Sequence, residues 1–309
     1  MAASANGWPE LPYREWEPTK QTLHRYCQMV GKVRMALAPF RNHWWHVTLH
    51  VSARGLTTGP MPSGDLTAEI ELDFVDHRLE VRTSAGGRAG FPLRDRLSCA
   101  AFYADLFAAL AAVGVRADIR PEPFDLGDGP PFAEDTLHDR YDAHAVERFW
   151  RILRITDAVL GRFASGFAGK ASPIHLFWHS FDLAHARFSG RRAPELPGAD
   201  PVTAEAYSHE VIAFGWWPGD DRRTPFPAFY SYTSPEPAGL RERPLQPGAA
   251  AWQDTGNGSL ALLPYDDVRA APDPAAALLS FFESAYRAGA EAAGWDAAAL
   301  AASTNGGPR

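Results

Sequence analysis

Cysteine is almost absent: Cys27 and Cys99 are the only two in 309 residues, too few for a disulfide framework or a thiolate metal site. Lysine is nearly as scarce. Only Lys20, Lys32 and Lys170 occur among 30 basic residues. With frequent alanine runs, this reads as the codon bias of a GC-rich genome rather than phosphate recognition by arginine. No window approaches roughly 18 uninterrupted apolar residues, so no membrane span is expected. Residues 1–16 lack the apolar core of a secretion signal, and the expected setting is a reducing cytoplasm. No basic cluster offsets the net charge of −7, which argues against sequence-independent binding to nucleic acid. Gly86-Gly87 reads as a loop and Gly256-Asn257-Gly258 as a hairpin turn, so no glycine-rich phosphate cradle is present. A Gly-x-Ser-x-Gly nucleophile elbow is missing as well.

What remains is an ordinary globular composition, 46% hydrophobic and 22% charged, with length enough for two units of about 150 residues. Leu23, Cys27, Val30, Arg34 and Leu37 fall at helical spacing over 18–38, with Pro18 suited to a first turn and Pro39 closing the pattern. From Trp44 to Ser52 the apolar positions alternate, which predicts a strand. Strands follow at 66–74, 78–83 and 115–119, with a helix at 98–113 before the last. Residues 121–142 are rich in proline and acid and mark a connection. A helix over 143–165 comes next, then strand-like segments at 174–188, 207–217, 227–234 and 259–263, and a helix over 274–292. The expected fold is therefore α+β: two similar helix–strands–helix halves, residues 1–120 and 143–309, joined by 121–142 and related as a diverged internal duplication. A pocket is expected where the halves meet.

Seven of the eleven histidines lie in two short regions: His43, His46 and His50, then His175, His179, His185 and His209. A buried histidine needs a partner for each ring nitrogen, so each is either hydrogen-bonded structure or functional equipment. On a helix, His175, His179 and Asp182 would converge as a facial metal triad. On a strand, His175 and His179 would stand about 13 Å apart. The strand is favoured because Pro173 precedes the segment and Phe177, Trp178 and Phe181 suit a pleated surface; a bulge at 180–182 would re-aim Asp182. His209 and Glu210 are adjacent on a strand and cannot both face one pocket. Tyr230 and Tyr232 share a face and could line an aromatic wall, although half-buried sheet residues with wet hydroxyls are the commoner case.

Several motifs are distinctive: Trp8-Pro9-Glu10-Leu11-Pro12, Asn42-His43-Trp44-Trp45-His46 and Gly55-Leu56-Thr57-Thr58 in the first half. The second half adds Gly169-Lys170-Ala171-Ser172-Pro173, Phe181-Asp182-Leu183, Arg187-Phe188-Ser189-Gly190-Arg191, Tyr207-Ser208-His209-Glu210 and Trp217-Pro218-Gly219. Together they resemble the DUF5996 family over about residues 8–296, a bacterial family of unknown function. The resemblance implies glycine at the position of His179 and an apolar residue at that of His185, so this chain departs there. His46, His175, Asp182, Arg187, His209 and Glu210 match the family pattern and form the candidate site. The expected function is a small-molecule enzyme. His175 and His209 would act as ligands or acid/base groups, Asp182 or Glu210 as carboxylate ligand or base, and Arg187 as an anchor for an anionic group. A metal-assisted version would use His175, His209 and Glu210 to hold iron, zinc or manganese. The alternative is a non-catalytic ligand-binding or scaffold protein, in which the same residues form a buried network including an Arg187–Asp182 ion pair.

Overall fold

A computed structural model describes residues 7–127, 129–256 and 258–302. Its first long element is helix α1 (Tyr13–Leu37), which starts a turn and a half earlier than the spacing predicts, with Pro18 inside it. From Thr22 to Arg34 every residue of α1 is buried, so this stretch has no solvent face and its polar side chains must find partners within the protein. They find loops. Lys20 Nζ donates to the Gly219 carbonyl at 2.6 Å, and Gln28 exchanges two 2.8 Å bonds with the backbone of Phe124. His24 Nε2 meets the Trp178 carbonyl at 2.8 Å, and the Arg25 guanidinium lies 3.2 Å from Asp135.

The first sheet contains β1 (His50–Val51), β2 (Gly55–Thr57), β3 (Met61–Ser63), β4 (Leu66–Asp73), β5 (Arg78–Thr83) and β6 (Arg88–Pro92). It is antiparallel in the order β1-β2-β4-β5-β6, with β3 also paired to β4. Helix α2 (Cys99–Ala112) packs on it and meets α1 where Tyr26 stacks on Phe102. Helix α3 (Ala143–Ala164) follows the connection and meets α1 where Trp16 stacks on Phe149.

The second sheet contains β7 (His175–Phe177) and β8 (Asp182–Arg192), then, after the short α4 (Pro201–Ala206), β9 (His209–Trp217), β10 (Ala228–Ser234), β11 (Ala251–Asp254) and β12 (Ser259–Pro264). Its order is β11-β12-β10-β9-β8-β7, antiparallel throughout. Helices α5 (Tyr265–Arg269) and α6 (Pro274–Ala292) close the chain's described part. The two sheets meet at their edges: Leu49 and Leu176 each donate N–H to the other's carbonyl, at 2.9 and 2.7 Å. Among the described residues no helix is long and apolar enough to cross a membrane.

The architecture is α+β, as the periodicity predicts, and most strands and helices fall within a few residues of the expected bounds. Strands β2, β3, β6 and β11 form where none is expected, and two expected segments differ. The strand expected over 44–52 shrinks to 50–51, because His43 and Trp44 turn into the left-handed region at φ 54° and 60°. The segment 115–119 forms no strand; Val115 and Ile119 are buried against the core without a pairing partner. Residues 175–188 are strands and a turn, so the helical triad His175/His179/Asp182 does not form. In the expected Gly256-Asn257-Gly258 turn, Asn257 lies outside the described residues; β11 and β12 on either side do pair.

Gly31 shows how tightly α1 is held. The Trp178 indole lies on its backbone, and a Cβ at Gly31 would stand 2.0 Å from Trp178 Cδ1. Helix propensity alone would reward Gly31→Ala with about 1 kcal/mol. Because Trp178 is pinned by its Nε1–H donating to the Val47 carbonyl at 2.8 Å, overpacking wins, and Gly31→Ala lowers stability by about 1–3 kcal/mol in urea unfolding.

Candidate functional site

The second sheet has two unlike faces. One packs on α3 and α6 through Phe163, Phe214, Phe229 and Phe282. The other carries the intervening residues, since side chains alternate along a strand. At the centre of that face the paired positions are all small: Ala184 opposite Gly215 and Ala186 opposite Ala213. Small residues leave a floor, and larger ones around it make walls. The result is a cavity of about 520 Å³ walled by Phe177, Phe188, Trp217, Tyr230 and Tyr232, with His43–Trp45 from the first half as a cover.

Asp182 is the one carboxylate among the residues that line this cavity. It is 8% exposed and accepts from two hydroxyls, Ser180 Oγ on Oδ1 and Tyr230 on Oδ2. Its position depends on two local features. Phe181, at the end of the β7–β8 turn, holds φ 61°, a conformation costly for a bulky residue. Its ring is locked between His24 (4.6 Å) and Phe149 (5.1 Å), and that stacking offsets the backbone cost. Tyr230 reaches Asp182 across the intervening strand because β9 presents Gly215 beneath it. A Cβ at Gly215 would stand 2.5 Å from the Tyr230 hydroxyl.

Tyr230 and Tyr232 stack at 6.2 Å, and the Tyr232 hydroxyl pairs with that of Tyr207 at 3.1 Å. Burial pushes both phenols well above their ordinary range, with Asp182 adding to the effect on Tyr230 and Tyr207 to that on Tyr232. These hydroxyls therefore keep their protons. The histidines move the other way. Burial, then His50, holds His175 well below 6.5; burial lowers His179 against the opposing pull of Asp182. His175 Nδ1 lies 3.2 Å from Thr48 Oγ1, whose own proton goes to the Trp45 carbonyl. That network makes Nδ1 the donor and Nε2 the acceptor of a neutral ring.

The cover is fastened by His43. Its backbone N–H donates to Glu205 Oε1 at 3.0 Å, its Nδ1 meets the Glu205 and Ala206 carbonyls, and Lys170 Nζ donates to its Nε2 at 2.6 Å. The Lys170 ammonium stands 5.0 Å from the Phe188 ring and 5.7 Å from that of Trp45.

Of the residues predicted for the site, His175 and Asp182 line the cavity. His209 borders it, with its ring 5.5 Å from that of His43. His46 is buried beside Trp44 and Phe40, away from the lining. Glu210 points to the other face of β9 and takes two bonds from Arg191, at 2.9 and 2.7 Å. Arg187 also faces the helices: its guanidinium covers the Phe163 and Tyr286 rings at 3.5 and 4.5 Å and donates to the Phe163 carbonyl. It does not pair with Asp182, which lies on the opposite face. His175, His209 and Glu210 are not brought together, and among the described residues no three His, Cys, Asp or Glu side chains are grouped to hold a metal ion. Lys170, Tyr207 and Ser180 escaped the sequence reading. The legible signal was the run of small residues in register at 184, 186, 213 and 215, which marks an unfilled sheet face.

Burial sets a pH dependence. His24 is pushed down to about 3 by burial and then by Lys20, and His185 to about 4 by burial and then by Arg187. Both folded values lie below the unfolded value near 6.5. The unfolded chain then takes up protons that the folded chain refuses, so stability is complete above about pH 6.5 and is lost as pH falls toward 4. Each group adds a slope of up to about 1.4 kcal/mol per pH unit. Urea midpoints measured at pH 7 and pH 5 should show this fall, and His185→Gln should make it shallower.

No curated protein and no solved structure matches this chain. One family is matched, over residues 8–302, a span that takes in the turn that aims Asp182 and the segment that covers the cavity. The chain therefore belongs to DUF5996, a family of unknown function.

Proposed function

We propose that this chain is an enzyme that moves a proton on a small molecule bound in the cavity, with Asp182 as the base. The observation that carries this reading is the carboxylate itself. It is buried among aromatic walls, no Arg or Lys among the described residues is paired with it, and it sits at the head of a strand held by the strained Phe181. An arrangement of that kind costs stability and suits a base. Each carboxylate oxygen accepts one hydroxyl and retains a lone pair for a ligand. Tyr230 keeps its proton and so donates to the carboxylate rather than competing with it as a base. Neutral His175 and His179 line the same cavity as Asp182, where they would orient polar atoms of the ligand.

A metal-assisted reaction through His175, His209 and Glu210 does not fit their placement, and no step is routed through a metal. The partner in this reading is a small molecule rather than nucleic acid, in keeping with the net charge of −7, and the setting is cytoplasmic. The two halves read as diverged copies of one unit. Each runs helix, antiparallel strands, helix, and Leu49, next to β1, meets Leu176 of β7 antiparallel as a pseudo-two-fold axis would bring them. The second reading, a non-catalytic binding protein, is favoured by the hydroxyls already satisfying both Asp182 oxygens.

The readings part on Asp182→Asn. Wild-type protein incubated with a metabolite extract freed of macromolecules should deplete at least one compound and form a product detectable by mass spectrometry. Asp182→Asn should slow that conversion about 100-fold or more, with Tm nearly unchanged. A compound retained but never converted would establish the binding reading. A large fall in Tm for both Asp182→Asn and His175→Ala would mark the network as structural.

A further inference from the structure

We propose that the cavity takes a small organic cation, an amine or quaternary ammonium group seated between the Asp182 carboxylate and the aromatic walls. This rests on the reading of the cavity as a small-molecule site and adds the charge class of its ligand.

The lining is electrostatically one-sided. Asp182 is its one acidic side chain, and among the described residues the lining includes no Arg or Lys side chain. The cations nearby are turned elsewhere. Arg187 lies on the opposite face of β8 against Phe163 and Tyr286. Lys170 is bound to His43 Nε2 and stands over Phe188, and Phe188 is six residues along β8 from Asp182, about 20 Å in an extended strand. The lining histidines His43, His175, His179 and His185 are all held below their ordinary range by burial, so they do not supply positive charge at neutral pH.

The walls add to this preference. Phe177, Trp217, Tyr230 and Tyr232 present aromatic groups to the same space, and an aromatic face attracts a cation, more strongly where water is excluded. Tyr230 lies over Gly215 with its hydroxyl on Asp182, which puts one aromatic ring directly beside the carboxylate. An anion in the same place would meet Asp182 with no cation to offset it. A neutral alcohol would find hydrogen bonds but neither charge attraction.

The test is a charge series of similar shape: phenethylamine, 2-phenylethanol and phenylacetate, titrated by calorimetry into the full chain at neutral pH. The expected result is phenethylamine binding about tenfold or more tightly than 2-phenylethanol, with phenylacetate weakest. In Asp182→Asn the amine should lose about tenfold while the alcohol is nearly unchanged. The wild-type series decides the matter even if that variant fails to fold. Equal or tighter binding of the alcohol or of phenylacetate overturns the proposal and leaves the small-molecule reading standing. Absence of binding by all three at roughly 10 mM, where affinity falls below about 3 kcal/mol, also overturns it. The proton-transfer reading would then rest on the metabolite conversion alone.

Discussion

A helical stretch buried on every side has to find partners inside the protein for its polar side chains, and α1 meets much of that demand by binding loops. Lys20, His24, Arg25 and Gln28 reach respectively the turn after β9, the β7–β8 turn, Asp135 and the connection at Phe124. These segments come from distant parts of the chain and are held in place by one element. The β7–β8 turn is among them, so the geometry of Asp182 is set partly by α1. Trp178 packs on Gly31, Phe181 stacks on His24, and the next residue is the carboxylate.

The cavity exists because one sheet face is left empty of side chains at its middle. Core faces are filled by large apolar groups at near-crystalline density, and the α3/α6 side of this sheet follows that rule. The opposite side substitutes alanine and glycine and lets Tyr230 lie flat across β9. Three of the six described non-glycine residues at positive φ border the same space, with Phe181 below and His43 and Trp44 above. Each is held by contacts strong enough to offset it: ring stacking for Phe181, and three separate hydrogen-bond partners for His43. Strained residues gathered at one cavity and supported from several sides are what a preorganised site requires.

Cations are distributed unusually. All three lysines are placed inside or against aromatic rings: Lys20 on a carbonyl, Lys32 near Phe132 and Trp178, and Lys170 on His43. The three positions that hold lysine are structural. The flat guanidinium of Arg187 is likewise stacked among three rings.

Local periodicity was enough to determine the α+β class, the long helices and most strands, because a 3.6-residue or two-residue repeat of apolar side chains is written in neighbouring positions. The shared face of Tyr230 and Tyr232, and the opposed faces of His209 and Glu210, followed from the same rule. The site itself was only half legible. His175 and Asp182 were found by their chemistry, but Arg187, Glu210 and His46 carried the same kind of signal and lie elsewhere. Which face of a strand meets a cavity depends on what packs against the other face, and that is decided by helices far away in sequence. The Asp182–Tyr230 contact spans 48 residues and the Lys170–His43 contact 127. Both require a strand register and a reversal of backbone hand at Phe181 or His43 that no local pattern specifies. Tertiary structure alone decided them, because only the packed core makes those strained conformations the lowest in free energy.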